Sequence, residues 1–181
     1  MSYADKALVL HATLPSDKVA RIGIVNLFHP GAGATITFHE SGFSASRCQI
    51  DGLERDFATW LAESGIDTRL PLVADYNGAL VNVSFQAVDE TRNLVTFYAP
   101  VFKGVEYRIA SPVVNYIGEF LSVLPQGLES RFSCNCILNF LYSSLEGKAT
   151  RGMEGPITFG EVAYQLLNQT LVYLTIEARP T

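Results

Sequence analysis

The apolar positions of this chain fall into short runs bounded by turn residues, which is the pattern of a strand-rich protein. Ala7 to Ala12 predicts a first strand, Pro15-Ser16-Asp17-Lys18 a turn, and Arg21 to Phe28 a second strand. Pro30-Gly31-Ala32-Gly33 breaks the run. Ala34 to His39 predicts a third strand and Gly42 to Gln49 a shorter, more polar fourth. Leu70 to Ala74, Ala79 to Val88, Leu94 to Val101 and Val105 to Ile109 predict four more, and Thr170 to Glu177 a last one. Short connections join antiparallel neighbours, so the middle runs read as a meander. Asn77-Gly78 supplies one tight turn of that meander.

Three segments carry helical spacing. Over Asp51 to Ser64, Leu53, Phe57, Trp60 and Leu61 form one apolar stripe. Asp51 with Glu54 three positions on has the form of a capping box, and Gly65 is a stop signal. Ser111-Pro112 opens a second helix, whose stripe runs through Val113, Val114, Ile117, Phe120, Leu121 and Leu124 before Pro125-Gln126-Gly127 ends it. Ser133 caps a third, from Cys134 to about Leu145. Gly160 to Leu167 fits a short helix or a loop. The fold expected is α+β: a mostly antiparallel sheet with two to three packed helices, some strands being parallel where helices interrupt the order. No repeat, linker or low-complexity segment divides the 181 residues, so residues 1–181 read as one domain, with 1–66 and 67–181 as regions sharing a sheet.

Composition narrows the function. Charged residues are 17%, below the usual level of about a quarter, against eight Tyr and eleven Phe. A low-charge, aromatic-rich surface points to coverage by a partner, most simply a second copy in a homo-oligomer. Net charge is -5, and Lys148, Arg151 and Arg131 are only a scattered trio, which argues against nucleic acid. No apolar run approaches the roughly 20 residues that span a bilayer, so no membrane partner is expected. The apolar stretch after Met1 to Lys6 is too short for a secretory core. With three cysteines and no disulfide spacing, the chain reads as cytoplasmic.

Candidate chemistry gathers between Phe132 and Thr175. Polar residues among buried-type neighbours each need a hydrogen-bond partner. As a helix opener, Cys134 would feel a positive dipole end and become reactive; in a strand, Cys134 and Cys136 would share a face. One C-x-C with only Cys48 and His39 to recruit is poor zinc spacing, so buried structural thiols, pocket lining and metal or redox chemistry all stay open. Glu146 and Glu161 flank a segment holding Gly147, Gly152, Gly155 and Gly160. If that segment folds back, the two acids meet, to exchange protons or to hold an ammonium group; ordinary solvated acids are the plain alternative. Gly31-Ala32-Gly33 lacks the third glycine of a dinucleotide loop, and His11, His29 and His39 have no nucleophile placed by motif.

The run from Pro71 to Ile176 resembles the C-terminal domain of FIST proteins, sensory proteins that bind small ligands. The residues that carry the resemblance are Val101 to Arg108 as a strand–Gly–strand hairpin, Phe132-Ser133-Cys134, Glu146, Phe159-Gly160-Glu161 and Leu167 to Val172. The family continues after its Cys with Gly-Arg, where this chain has Asn135-Cys136, and carries a large N-terminal domain besides. The resemblance implies a non-catalytic, signal-transducing domain without a cofactor. Its small-molecule ligand, an amino acid in the simplest case, would lie against Cys134, Glu146, Phe159, Gly160, Glu161 and Asn168. A structural or interaction protein with no ligand site, and a Cys-dependent enzyme, are the alternatives.

Overall fold

Two dipeptides with glycine second set the local geometry of the first half. Asn77 and Gly78 both have positive φ (55° and 92°), the type I′ turn whose twist matches paired strands. They join Leu72–Tyr76 to Ala79–Val83 with Tyr76 opposite Ala79. Asp51 and Gly52 do the same (φ 49° and 81°), joining Arg47–Ile50 to Leu53–Asp56 with Ile50 opposite Leu53. The helix expected from Asp51 is therefore half strand. Asp51 is a turn residue, its carboxylate accepts the Thr35 N–H at 2.9 Å, and Leu53 is 61% exposed. The helix proper is Phe57–Glu63, and Asp56 at its start makes no side-chain cap. Asn93 supplies the cap from a distant turn, accepting the Ala58 N–H at 3.2 Å while its amide donates to the Ser46 carbonyl.

The computed structural model describes residues 9–124, 130–148, 150 and 152–180, with all their side chains but that of Gln165. In chain order the elements are β1 (Lys18–Val25), β2 (Ile36–Thr37), β3 (Gly42–Ala45), β4 (Arg47–Ile50), β5 (Leu53–Asp56), α1 (Phe57–Glu63), β6 (Leu72–Tyr76), β7 (Ala79–Val83), β8 (Phe85–Asp89), β9 (Leu94–Val101) and β10 (Arg108–Ile109). Then follow α2 (Tyr116–Val123), β11 (Phe132–Cys136), α3 (Ile137–Tyr142), β12 (Ile157–Thr158), β13 (Glu161–Ala163), β14 (Gln165–Leu167) and β15 (Leu171–Ala178). The strands form small sheets ordered β1-β15-β11-β12, β10-β6-β7, β2-β4-β5, β3-β9-β8 and β13-β14. All pairings are antiparallel except β11 with β12. Among the described residues the architecture is thus strand-dominated and mostly antiparallel, with three short helices.

Several expected elements change. The meander is not continuous: β7 and β8 part at Ser84 and enter different sheets. The single strand expected over Gly42 to Gln49 is two, β3 and β4, and that over Ala34 to His39 shrinks to β2. The second helix begins at Tyr116, because Asn115, not Ser111, accepts the Gly118 N–H; Val114 is 98% exposed and outside the stripe. The third helix begins at Ile137, and Cys134 lies in a strand. Gly160 to Leu167 is the β13–β14 hairpin. Residues 9–12 form no strand; Ala7, Leu8 and the stop signal Pro125-Gln126-Gly127 lie outside the described residues.

Two main cores result. Phe38, Phe57, Phe85, Phe97 and Tyr107 are mutually packed rings in one, roofed by α1. β9 shows the period-2 rule cleanly, burying Val95, Phe97, Ala99 and Val101 in alternation. The other core sets Phe120 and Leu124 of the α2 segment against Val25, Leu27 and Leu171. Both cores draw residues from either side of Gly65: Val25 and Leu27 meet Phe120 and Leu171 in one, while in the other Phe38 meets Phe97 and Tyr107 and Phe57 meets Phe97. No described helix is long and apolar enough to cross a membrane.

Candidate functional site

β11 lies between β15 and β12, so its side chains alternate between two faces of the four-stranded sheet. Cys134 is opposite Val172, and Cys136 is opposite Thr158 in the parallel pairing. The Cys136 N–H donates to the Thr170 carbonyl at 3.1 Å, closing the ladder at that end. Thr158 and Thr170 thus flank Cys136, one on each neighbouring chain segment.

Glu161 opens β13 directly beside this row. It is 4% exposed. The Thr170 hydroxyl donates to Oε1 and the Thr158 hydroxyl donates to Oε2 at 3.3 Å. Burial is the larger effect and pushes the carboxyl up to about 7, against the two hydroxyls, which favour the charged form. Its charge reaches both thiols. Cys134 is half-buried and held above the ordinary thiol range, first by burial and then by Glu161. Cys136 is raised by burial, and Cys48, deep in the other core, is pushed up to about 12 by burial. A thiol at a helix start would have moved the other way; the strand removes that dipole end from Cys134.

Asn168 is fully buried three residues before β15 begins at Leu171. Its Oδ1 accepts the Ser84 N–H at 3.3 Å, its Nδ2 donates to the Leu167 carbonyl, and its own carbonyl accepts Asn82 Nδ2 at 3.1 Å. Gly160 (φ 135°) belongs at this crossing: a Cβ there would lie 3.3 Å from the Leu167 carbonyl oxygen and 3.4 Å from Asn168 Nδ2. Gly160, Glu161 and Asn168 are therefore brought together, with Cys134 within electrostatic reach of Glu161. Phe159 is next to them in sequence but 87% exposed. Glu146 is exposed and lines an open cleft with Phe140, Leu141, Ser144 and Lys148.

Sequence reasoning missed most of the polar partners. Asn82 and Asn26 bond each other, and Gln169 Nε2 donates to the Arg69 carbonyl at 2.9 Å. On the other face of β11, Asn135 Oδ1 accepts from Asn139 Nδ2 at 2.7 Å, and Asn139 Oδ1 accepts the hydroxyl of Tyr116, whose own ionisation burial pushes up to about 12. The available signal was Asn82 inside an otherwise apolar strand run. Two buried atoms, Ser84 Oγ and Gln169 Oε1, have no partner among the described residues.

Other concave surface lies at the exposed His39–Glu54–Arg47 cluster, a cleft of about 370 Å³ in which His39 Nε2 is 2.7 Å and Arg47 Nε 3.0 Å from Glu54. Another, of about 220 Å³, is lined by Asp67, Arg69, Tyr116, Tyr142 and Ser143. Among the described residues no group of three or more His, Cys, Asp or Glu is placed to hold a metal ion.

No curated protein and no solved structure matches the chain. A family model does, over residues 1–177: the chain belongs to a family of unknown function, DUF6976.

Proposed function

We propose that this chain is a small-molecule-binding, non-catalytic sensory domain of the cytoplasm, and that its ligand carries an amino group held by Glu161. The observation behind this reading is a carboxylate 4% exposed that no cation among the described residues pairs with. Buried carboxylates are normally matched by a cation or kept neutral. An incoming ammonium group supplies the missing partner, draws Glu161 to its ionised form and adds charge-assisted hydrogen bonds to those from Thr158 and Thr170. Cys134 borders the same place as a neutral thiol, which favours lining over nucleophilic attack. The resemblance of Pro71 to Ile176 to a ligand-binding sensory domain supports the same reading.

Thermal unfolding against a panel of amino acids, polyamines and other primary amines tests it. A ligand at about 100 times its Kd adds about 2.7 kcal/mol, a shift of several degrees. That shift is expected with wild type for at least one amine class and is lost in Glu161→Gln. The reading fails if no amine shifts the transition, or if Glu161→Gln responds as wild type does.

A further inference from the structure

The cleft of about 220 Å³ that reaches from Asp67 and Arg69 to Tyr116 and Ser143 has hydroxyls of one polarity on its inner side. Tyr116 donates its hydroxyl hydrogen to Asn139 Oδ1, and Ser143 Oγ donates to the same atom at 3.4 Å. Asn139 is 1% exposed, and its Nδ2 is taken by Asn135 Oδ1. Burial keeps Tyr116 protonated, its ionisation pushed up to about 12. Both hydroxyls therefore have only lone pairs left to offer the cleft. Beside the same wall, Gln169 gives Nε2 to the Arg69 carbonyl, while its buried Oε1 has no partner among the described residues.

Charge at the rim cancels. Arg69 forks the Asp67 carboxylate, with Nε 2.9 Å from Oδ1 and Nη2 2.7 Å from Oδ2. Arg69 Nη1 and the Tyr142 hydroxyl, both on the cleft's side chains, have no hydrogen-bond partner among the described residues. The apolar wall includes the rings of Phe28 and Tyr116, 6.1 Å apart and tilted by 43°.

We propose that this cleft binds a small neutral polyol ring, a monosaccharide or cyclitol, whose hydroxyls donate to Tyr116 Oη and Ser143 Oγ and accept from Arg69 and Tyr142. An anion would meet lone pairs on the inner side and a guanidinium already matched by Asp67. A cation would find Asp67 already matched by Arg69. Neutral donors remain. Phe28 and Tyr116 form a corner, not the parallel slot that would hold a flat base, and the C–H face of a sugar ring packs against either ring. Adjacent hydroxyls each give and take a hydrogen bond, which suits a rim where a carboxylate oxygen and a guanidinium N–H stand side by side. The volume lies below that of pockets for drug-sized ligands, about 300 Å³ upward, so a single ring fits and a chain of sugars does not.

The test is saturation-transfer NMR on the full chain, with glucose, galactose, mannose and myo-inositol titrated from about 0.1 to 20 mM, the range of weak ligands. At least one of them is expected to bind saturably to wild type. Ser143→Ala and Tyr116→Phe each remove one acceptor and are expected to weaken that binding about tenfold or more. Arg69→Ala, at the exposed rim, is expected to do the same and serves if the other two do not fold. Glu161→Gln is expected to leave sugar binding unchanged, which keeps this result separate from the amine reading. The proposal is overturned if none of the four saturates, or if binding survives in every folded cleft variant. It is also overturned if Glu161→Gln abolishes sugar binding, which would move the sugar to the other site. Methylammonium or inorganic phosphate binding more tightly than every sugar, and weakened by Arg69→Ala, would give the cleft to an ion instead.

Discussion

Asn26 and Asn82 hold each other by two side-chain hydrogen bonds, Asn82 Nδ2 to Asn26 Oδ1 at 2.9 Å and Asn26 Nδ2 to Asn82 Oδ1 at 3.0 Å. Asn82 also donates to the Asn168 carbonyl, and Asn26 accepts the Phe28 N–H. One amide pair thus ties the segment after β1, strand β7 and the approach to β15 together. Asn82→Ala leaves Asn26 and the Asn168 carbonyl short of partners in a buried place. A loss of about 2–4 kcal/mol is expected in urea unfolding, since orphaned buried polar groups cost about 1–3 kcal/mol each. A change below about 0.5 kcal/mol would show that water replaces the pair.

Glu161 fixes the sign of a pH dependence. Its folded carboxyl, at about 7, lies above its ordinary value of 4.5. Between those values the folded chain holds a proton that the unfolded chain has lost, so stability falls as pH rises through this window and levels off above it. The full span is worth about 3 kcal/mol for this group. Equilibrium unfolding from pH 4.5 to 8 should show this decline in wild type and a flatter profile in Glu161→Gln. Parallel profiles would remove the buried acid from the account.

Leu53 and Asn93 separate the hairpin from the helix that the spacing suggested. Leu53→Ser at an exposed strand position is expected to change stability by no more than about 0.5 kcal/mol, whereas a core helix position would cost several times that. Asn93→Ala removes the cap on α1 and the bond to Ser46, and is expected to cost about 1–2 kcal/mol. Thermal denaturation of the two variants side by side decides it, and the reverse ranking would restore the longer helix.

Gly155 is held by space, not by dihedral angle. A Cβ there would lie 1.5 Å from the Ser133 carbonyl oxygen, an impossible distance for backbone atoms that cannot swing away. Gly155→Ala must push the β12 approach off β11 and is expected to cost about 3 kcal/mol or more, or prevent folding. Gly33→Ala, with nothing within 4 Å of its Cβ, is the control and should be close to neutral. Circular dichroism melts of both would settle the contrast.

How much of this was legible in the sequence depended on range. β9 and the Asn77-Gly78 turn are legible because their signals are local: alternation and a dipeptide suffice. Asp51-Gly52 is the same kind of turn, yet Glu54 and the spacing of Phe57, Trp60 and Leu61 made the segment look like a capped helix. Asp begins helices and type I′ turns equally well, and only the pairing of β5 with β4 decides between them. Cys134 was open to a helix or a strand for a related reason: the apolar spacing of α3 starts three residues later, and β11 is fixed by β15 and β12. At the candidate site, the acid and its glycine were visible as a polar patch among apolar neighbours. The pairing of Glu161 with Thr158 and Thr170, and of Asn82 with Asn26 and Asn168, is made by strands distant in sequence and left no local mark.

β15 occupies an inner place in its sheet, with β1 on one flank and β11 on the other. On the ribosome, both flanking strands emerge and must wait, their ladder edges bare, until nearly all of the described chain has been made. A nascent chain halted before Leu171 would expose two adhesive edges at once, so the chain stays most prone to aggregation until β15 has been made.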